Sequence, residues 1–386
     1  MKTIPSTRSY STKSPESEAI VLKIKDASSG TFSCDFLFGP RSCSIKAEWW
    51  DGTSTTYAGS NTESYGDNTI KSVTITKSIA SPYNNNNEKT IKVYPVDANG
   101  NKVGIMRGIL YSPIPGVRIV DCDIRGCLGL YQISLTDLSL TDGSFAPSLP
   151  RSFDRHLSLT DFKLVKIDVG TSFSFTNCDR LQSIAFSNIA SLQSITVKNC
   201  WTGTANHYLT LFQVYNCSSV TSITMENSDL GVNISSNSAL TSLNLLNSDL
   251  QYLTLGGSPS LTSISNFLST MANMTSVAIY STGLTSFTVP TTSNLATIEI
   301  VANSSLTSVR AVGQNPVVYK YFSISSFLEG VKLQDNNLSA AALDQVYTDL
   351  GSTGGLTSYI RVDGNPGVGS DNPAIATAKG YTVLGS

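Results

Sequence analysis

Charge is scarce in this chain. Of its 386 residues only 14% are Asp, Glu, Lys or Arg, and the formal net charge is −2; ordinary globular domains carry roughly a quarter. Binding to a phosphate backbone needs clustered Lys and Arg to release counterions, so nucleic acid is excluded as the main partner. No run of about 18 apolar residues occurs, which excludes a membrane-spanning helix. The opening stretch MKTIPSTRSYSTKSPESEA has no apolar core, which argues against a secretory leader. Histidine occurs only as His156 and His207, and no Gly-x-Ser-x-Gly elbow is present, so a Ser-His triad has no sequence support. Neither Cys-x-x-Cys nor His-x-x-x-His occurs, which argues against zinc. The segments at Asp97-x-Asn99-x-Asn101 and Asp121-Cys-Asp123 resemble calcium loops only superficially, because no bidentate Glu follows. No glycine-rich loop opens a helix to cradle a phosphate. The expectation is a protein without enzymatic activity, cofactor or metal.

Hydroxyls and amides are abundant instead. Ser (58), Thr (40) and Asn (27) make up about a third of the chain, so its polar surface is built from neutral donors and acceptors. The seven cysteines are an odd number without paired spacing. They read as buried, reduced thiols of a protein made in a cytoplasm. Cys34 and Cys43, on either side of a turn at Gly39-Pro40, are the one pair left open as a disulfide.

Four regions follow from the patterning. Residues 1–16 are Ser/Thr/Pro-rich and read as an extended arm. Residues 17–115 hold short alternating apolar runs at 19–25, 34–38, 43–49, 70–76 and 90–96, with an Asn99-Gly100 hairpin turn and a polar tip at Asn84 to Asn87. This is the pattern of a β-sandwich. The segment Trp49-Trp50-Asp51-Gly52-Thr53, followed by Val93-Tyr-Pro-Val96-Asp97, resembles the PKD-type immunoglobulin-like sandwich, with Trp50 where that family has Gly. A plain hairpin turn flanked by core tryptophans accounts for the same residues.

From residue 116 the chain repeats an apolar-x-x-apolar-x-apolar unit. Leu192-Gln-Ser-Ile195-Thr-Val197, Val220-Thr-Ser-Ile223-Thr-Met225, Leu240-Thr-Ser-Leu243-Asn-Leu245 and Leu284-Thr-Ser-Phe287-Thr-Val289 are examples. Two units make about 21 residues, inside the leucine-rich-repeat range. The period predicts a solenoid over 116–335 with two short strands per turn and about ten turns. Three residues before the leading apolar position there is often a small or polar residue: Cys127, Cys178, Cys217, Asn237, Ser258, Ser281, Thr292, Asn303. Such a column can stack from turn to turn and bond turn carbonyls. Residues 336–386 read as a small α/β cap, with a helix from Ser339 as N-cap to Leu350, a strand at 359–363, a second short helix and a closing strand from Tyr381. The fold class expected is therefore mainly β: an immunoglobulin-like β-sandwich, then a leucine-rich-repeat β-solenoid, then the cap.

The segment Asn216-Cys-Ser-Ser-Val-Thr-Ser-Ile-Thr-Met225 resembles the BspA-like leucine-rich repeats of bacterial surface and phage proteins. The ending from Asp335-Asn-Asn-Leu through Asp363-Gly-Asn-Pro-Gly to Ala376-Thr-Ala-Lys-Gly-Tyr-Thr-Val resembles the cap of leucine-rich-repeat proteins of tailed phages. The resemblance implies a virion component, used as head decoration, fibre or host-surface recognition. It would dock on other virion proteins through the arm and sandwich, and is compatible with a homo-oligomer. A bacterial cell-surface adhesin is the alternative.

Aromatic anchors are the expected hot spots of a hydroxyl-covered rod. Trp201, His207, Tyr208 and Tyr215 lie in or after a stretch that stretches the repeat step, and Tyr252 and Tyr280 fall on outward strand positions. These six are the candidate binding residues, for a host glycan or protein. Trp201 and Tyr208 can equally fill the gap left by the broken repeat. The outward acidic residues Glu226 and Glu299 are expected to lie several turns apart, too far to act as a hydrolase pair.

Overall fold

The structure, a computed structural model, describes residues 19–26, 30–39, 43–61, 71–79, 89–102, 105–111, 117–123, 132–136, 152–154, 161–165, 172–178, 181–200, 211–229, 231–269, 271, 273–291, 295–314, 330–356 and 358–386. The chain forms two compact units, one running to Ile133 and the other from Arg151 to Ser386. The arm expected at 1–16 lies outside the described residues.

The first unit is built from antiparallel strands. One set runs in space Ser54–Tyr57, Ser44–Glu48, Lys89–Val96, Ile20–Asp26, Val117–Asp123; another runs Ile105–Tyr111, Gly30–Gly39, Lys71–Ile79, Ser60–Asn61. Alternation buries Phe32, Cys34, Phe36 and Phe38 on one strand and Ile45 and Ala47 on another. Phe32 meets Trp49 edge-on at 6.2 Å. At the turn after Trp49, Gly52 has φ +79, a left-handed conformation that glycine adopts without strain. Val117–Asp123, which the repeat spacing places at the start of the solenoid, pairs antiparallel with Ile20–Asp26. Cys34 and Cys43 are both buried and no disulfide joins them.

The second unit is a β-solenoid of about 8 turns over residues 162–384. The repeat spacing alone predicts about ten turns over 116–335. The coil starts later and continues through the segment expected to be only a cap, where Ser358–Arg361 and Tyr381–Leu384 extend the same parallel sheet. The two spans are nearly equal in length, so the lower count reflects turns longer than the expected unit of about 21 residues.

Through Ser265 the turns contribute one strand to each of two parallel sheets; beyond it Ser286–Thr288 and Ser308–Arg310 pair with each other in a separate two-stranded sheet. The first sheet holds, among others, Ser183–Ser187, Leu211–Tyr215, Gly231–Ser235, Tyr252–Ser258, Ser276–Thr282 and Thr297–Val301. The second holds Ser172–Thr176, Ser194–Lys198, Ser222–Glu226 and Ser242–Leu246. The strands alternate half-buried and buried, so the second and fourth residues point inward, as in Ile195 and Val197 or Leu253 and Leu255. The leading apolar residues, among them Leu181, Leu192, Val220, Leu240 and Leu306, are fully buried as well. In the turns around Ser183–Ser187 the core is aromatic: Phe162 lies 4.9 Å from Phe175, and Phe173 lies 5.2 Å from Phe186.

The corners are where the fold is specified. The residue after the fifth residue of each complete strand has positive φ: Asn177, Asn188, Asn199, Asn216, Asn227, Ser236, Asn247, Gly257, Ser281 and Ala302. Asn tolerates this conformation best among residues with a Cβ. The turned residue keeps the stack bonded, since Asn188 N donates to Tyr215 O at 2.9 Å and Asn199 N to Glu226 O at 2.9 Å. Its side chain stacks too: Asn227 Nδ2 donates to Asn199 Oδ1 at 2.8 Å, and Asn199 Nδ2 to Asn177 Oδ1 at 3.2 Å.

The next residue turns inward and forms the buried column. At the end of the first-sheet strands it reads Cys217, Asn237, Ser258, Thr282, Asn303, Asn336 and Asn365, all buried. Asn237 Nδ2 donates to Val214 O and Ser235 O, both at 2.9 Å, while its Oδ1 accepts from Cys217 N at 2.9 Å. Asn303 does the same between Ile279 O, Val301 O and Thr282 N. The thiols substitute weakly: Cys217 Sγ approaches Tyr215 O at 3.5 Å. Burial pushes the Cys217 thiol up to about 11, so it stays protonated and inert. The sequence pattern puts Ser281 in this column, but Ser281 is the exposed left-handed residue and Thr282 is buried behind it. That turn has one residue fewer between corner and leading apolar, which shifts the assignment. Cys127 and Thr292 lie outside the described residues.

Toward the end of the coil a helix, Ala340–Asp349, takes the place of a second-sheet strand, and Ser339 caps it by accepting from Ala342 N at 3.3 Å. Arg310 grips Asp349 with Nε at 2.5 Å and Nη2 at 3.0 Å. Burial pushes the Asp349 carboxyl up, but Arg310, Gln345 and the Ala311 amide outweigh it and hold it below its ordinary value.

Substitutions at Asn237, Asn227 and Asp349 test these bonds. Asn237→Ala leaves the Cys217 amide buried without its acceptor, takes one donor from each of the Val214 and Ser235 carbonyls, and costs about 1–3 kcal/mol in urea denaturation. Asn227→Ala, at an exposed-side corner, costs about 1–2 kcal/mol from left-handed strain, whereas Asn227→Gly is close to neutral. The Asp349 carboxyl has a lowered folded pKa, so its contribution is complete above about pH 4 and is lost as pH falls through the folded value. Asp349→Asn therefore makes the acid side of a melting-temperature profile less steep, while at neutral pH it melts lower than the parent.

Candidate functional site

The six candidate binding residues fall into two groups. Trp201, His207 and Tyr208 lie outside the described residues. Tyr215, Tyr252 and Tyr280 come together on the outward face of the first sheet, where Tyr215 is 44% and Tyr280 39% exposed and Tyr252 is half-buried. Parallel pairing puts their outward positions in register: Tyr215, Ser235, Gly256 and Tyr280 form one column, and Gln213, Asn233 and Thr254 the column beside it.

Two strand glycines, missed at the sequence level, shape this face. The Tyr252 ring occupies the space that a Cβ on Gly231 would need, and the Tyr280 ring does so over Gly256. Each ring is thus laid onto the backbone of the preceding turn. Neither glycine has positive φ, so the close approach of the ring, not the backbone conformation, is what requires it. The signal was present as a strand glycine with a tyrosine one turn later. Burial pushes the Tyr252 hydroxyl up from its ordinary value.

Between the rings lies Asn233, half-buried, with its Oδ1 covered and accepting no hydrogen bond. From Ser183 to Tyr280, across five successive strands, no outward position of this sheet is charged. Charge returns at exposed Lys163 on one side, and on the other at Glu299, 3.6 Å from Lys332.

The other constellations are consumed by the fold. Glu226 lies on the second sheet, bound to Lys198 at 2.8 Å, and Glu299 lies on the first, so the two carboxylates do not share a face. Asp97 spends its carboxylate on its own turn, accepting from Asn99 N at 2.9 Å and Asn101 N at 2.8 Å. Among the described residues no group of three or more His, Cys, Asp or Glu could hold a metal. Asp51 sits beside Lys77 at 2.6 Å, and the ammonium also lies 5.3 Å from the Trp49 ring and 5.5 Å from that of Trp50. A shallow polar hollow of about 340 Å³ near the last strand includes Lys379. That ammonium already donates to the carbonyls of Tyr347, Thr348 and Leu350.

What the tyrosine face can do is bind through aromatic surface and neutral hydrogen bonds. A direct check on its geometry is Gly256→Ala. The added methyl lifts the Tyr280 ring toward solvent, so nitration at Tyr280 becomes faster, while stability changes by less than about 1 kcal/mol because a terminal ring can swing away. Unchanged nitration would mean that the ring does not rest on Gly256.

No protein-family model matches this sequence, and no curated protein or solved structure matches it either.

Proposed function

We propose that the chain is a non-enzymatic structural and binding protein of the virion, with the solenoid presenting the uncharged tyrosine face and the residues before it docking onto other virion proteins. The observation that carries the binding role is the convergence of Tyr215, Tyr252 and Tyr280 on one sheet face. A rigid stack that holds aromatic rings at fixed spacing loses little entropy when a partner arrives. The virion setting is supported by the likeness of the segment from Asp335 to Val383 to the caps of tailed-phage leucine-rich-repeat proteins. Head decoration, fibre and host-surface recognition are all uses of such a rod, and no cofactor enters any of them.

The leucine-rich-repeat class is part of this reading. Leu295-x-x-Ile298-x-Ile300-x-x-Asn303 carries the repeat's apolar spacing and its buried Asn. So is an immunoglobulin-like, PKD-type sandwich for the first unit, supported by its antiparallel strands and the Trp49-to-Thr53 turn.

Immunogold labelling tests the setting. An antibody to the solenoid is applied to gradient-purified particles and to intact cells from the source culture. Regular label on the particles is the expected result. Label confined to the cell envelope would contradict it and favour the adhesin.

A further inference from the structure

We infer that the Tyr252–Tyr280 face binds a neutral, extended glycan, an inference that rests on the binding role proposed above. Three observations point to that chemistry. The face carries no charge over five strands, so a polyanion or a basic peptide finds no counter-charge there, while a neutral polymer loses none. Two tyrosine rings are held down by glycines and partly open to solvent, which suits the C–H faces of pyranose rings. Sugar hydroxyls then need neutral partners at the rim. Gln213, Asn233 and Thr254 stand in register beside the rings and present neutral side chains there.

The spacing sets ligand length. The Tyr252 ring rests on the first residue of one strand and the Tyr280 ring on the fifth residue of the next. Four residues along a strand and one strand across separate the rings by about 14 Å. One sugar ring cannot touch both, so the ligand is an oligosaccharide or polymer rather than a monosaccharide. Tyr215 continues the column beyond Ser235 and offers a further contact.

The test uses the full chain against immobilised dextran, mannan and laminarin, with alginate as the polyanionic comparison. Binding to at least one neutral polymer and none to alginate is expected, with the corresponding free monosaccharide a poor competitor. Tyr252→Ala and Tyr280→Ala each weaken binding roughly tenfold or more, as truncated aromatic anchors do. Gly256→Ala, which keeps Tyr280 but lifts its ring, weakens it too, whereas Tyr280→Phe retains most of it. Melting temperatures of the variants show that each is folded. No binding to any of the three neutral polymers, or binding that survives both alanine variants, overturns the inference. Particle labelling is independent of it: label on particles without glycan binding removes the ligand and leaves the structural role, and glycan binding without particle label does the reverse.

Discussion

The structure depends on how a chain turns a corner inside a stack. A strand in a parallel sheet finds its hydrogen bonds in the turns before and after it. A corner does not, because its amides and carbonyls point along directions the sheets cannot serve. Buried, each would cost about 1–3 kcal/mol. The column residues Asn237, Asn303, Asn336 and Asn365 meet this need from the inside: each side-chain amide both donates to carbonyls and accepts from a backbone N–H. Cysteine and serine fill the corresponding column at the ends of the second-sheet strands, at Cys178, Cys200, Ser228 and Ser248, where Ser228 accepts from the Cys200 amide and Ser248 from the Ser228 amide. The left-handed residue just outside, an Asn at Asn177, Asn199, Asn216, Asn227 and Asn247 and otherwise Ser236, Ala302, Asp335 or Gly364, makes each column possible by aiming the following residue inward.

Regular corners have a consequence for the surface. Because each turn repeats its predecessor's register, outward side chains line up in columns, and a feature placed once is held at a fixed spacing from the next. On the first sheet this brings Tyr215, Tyr252 and Tyr280 from turns far apart in sequence onto one uncharged face. The glycines at 231 and 256 then fix the orientation of two rings. The spacing of these rings needs no loop insertion, because the scaffold itself sets it.

Much of this was legible in the residues. The apolar-x-x-apolar-x-apolar unit marks inward strand positions, and the small or polar residue three before it marks most of the buried column. Other features were hidden for physical reasons. Ser281 and Thr282 are both plausible column residues, and only the backbone's left-handed turn at Ser281 distinguishes them. Val117–Asp123 alternates as a repeat strand does, but its partner is Ile20–Asp26, almost a hundred residues away. The last strands looked like a cap because a helix, Ala340–Asp349, interrupts the period, yet they continue the first sheet through Val331↔Ile360 and Ser358↔Tyr381. The pairing of a strand glycine with a tyrosine one turn later is a contact between turns, and linear spacing does not display it.

Hydrogen exchange at the corners tests the central claim most directly. The amides of Cys217, Thr282, Asn303 and Leu338 donate to side chains of the buried column and to no strand. If that column completes the stack, these amides exchange as slowly as those of neighbouring strands such as Gly231–Ser235. Exchange as fast as in exposed turns would contradict it, and would mean that the turns are held by core packing alone.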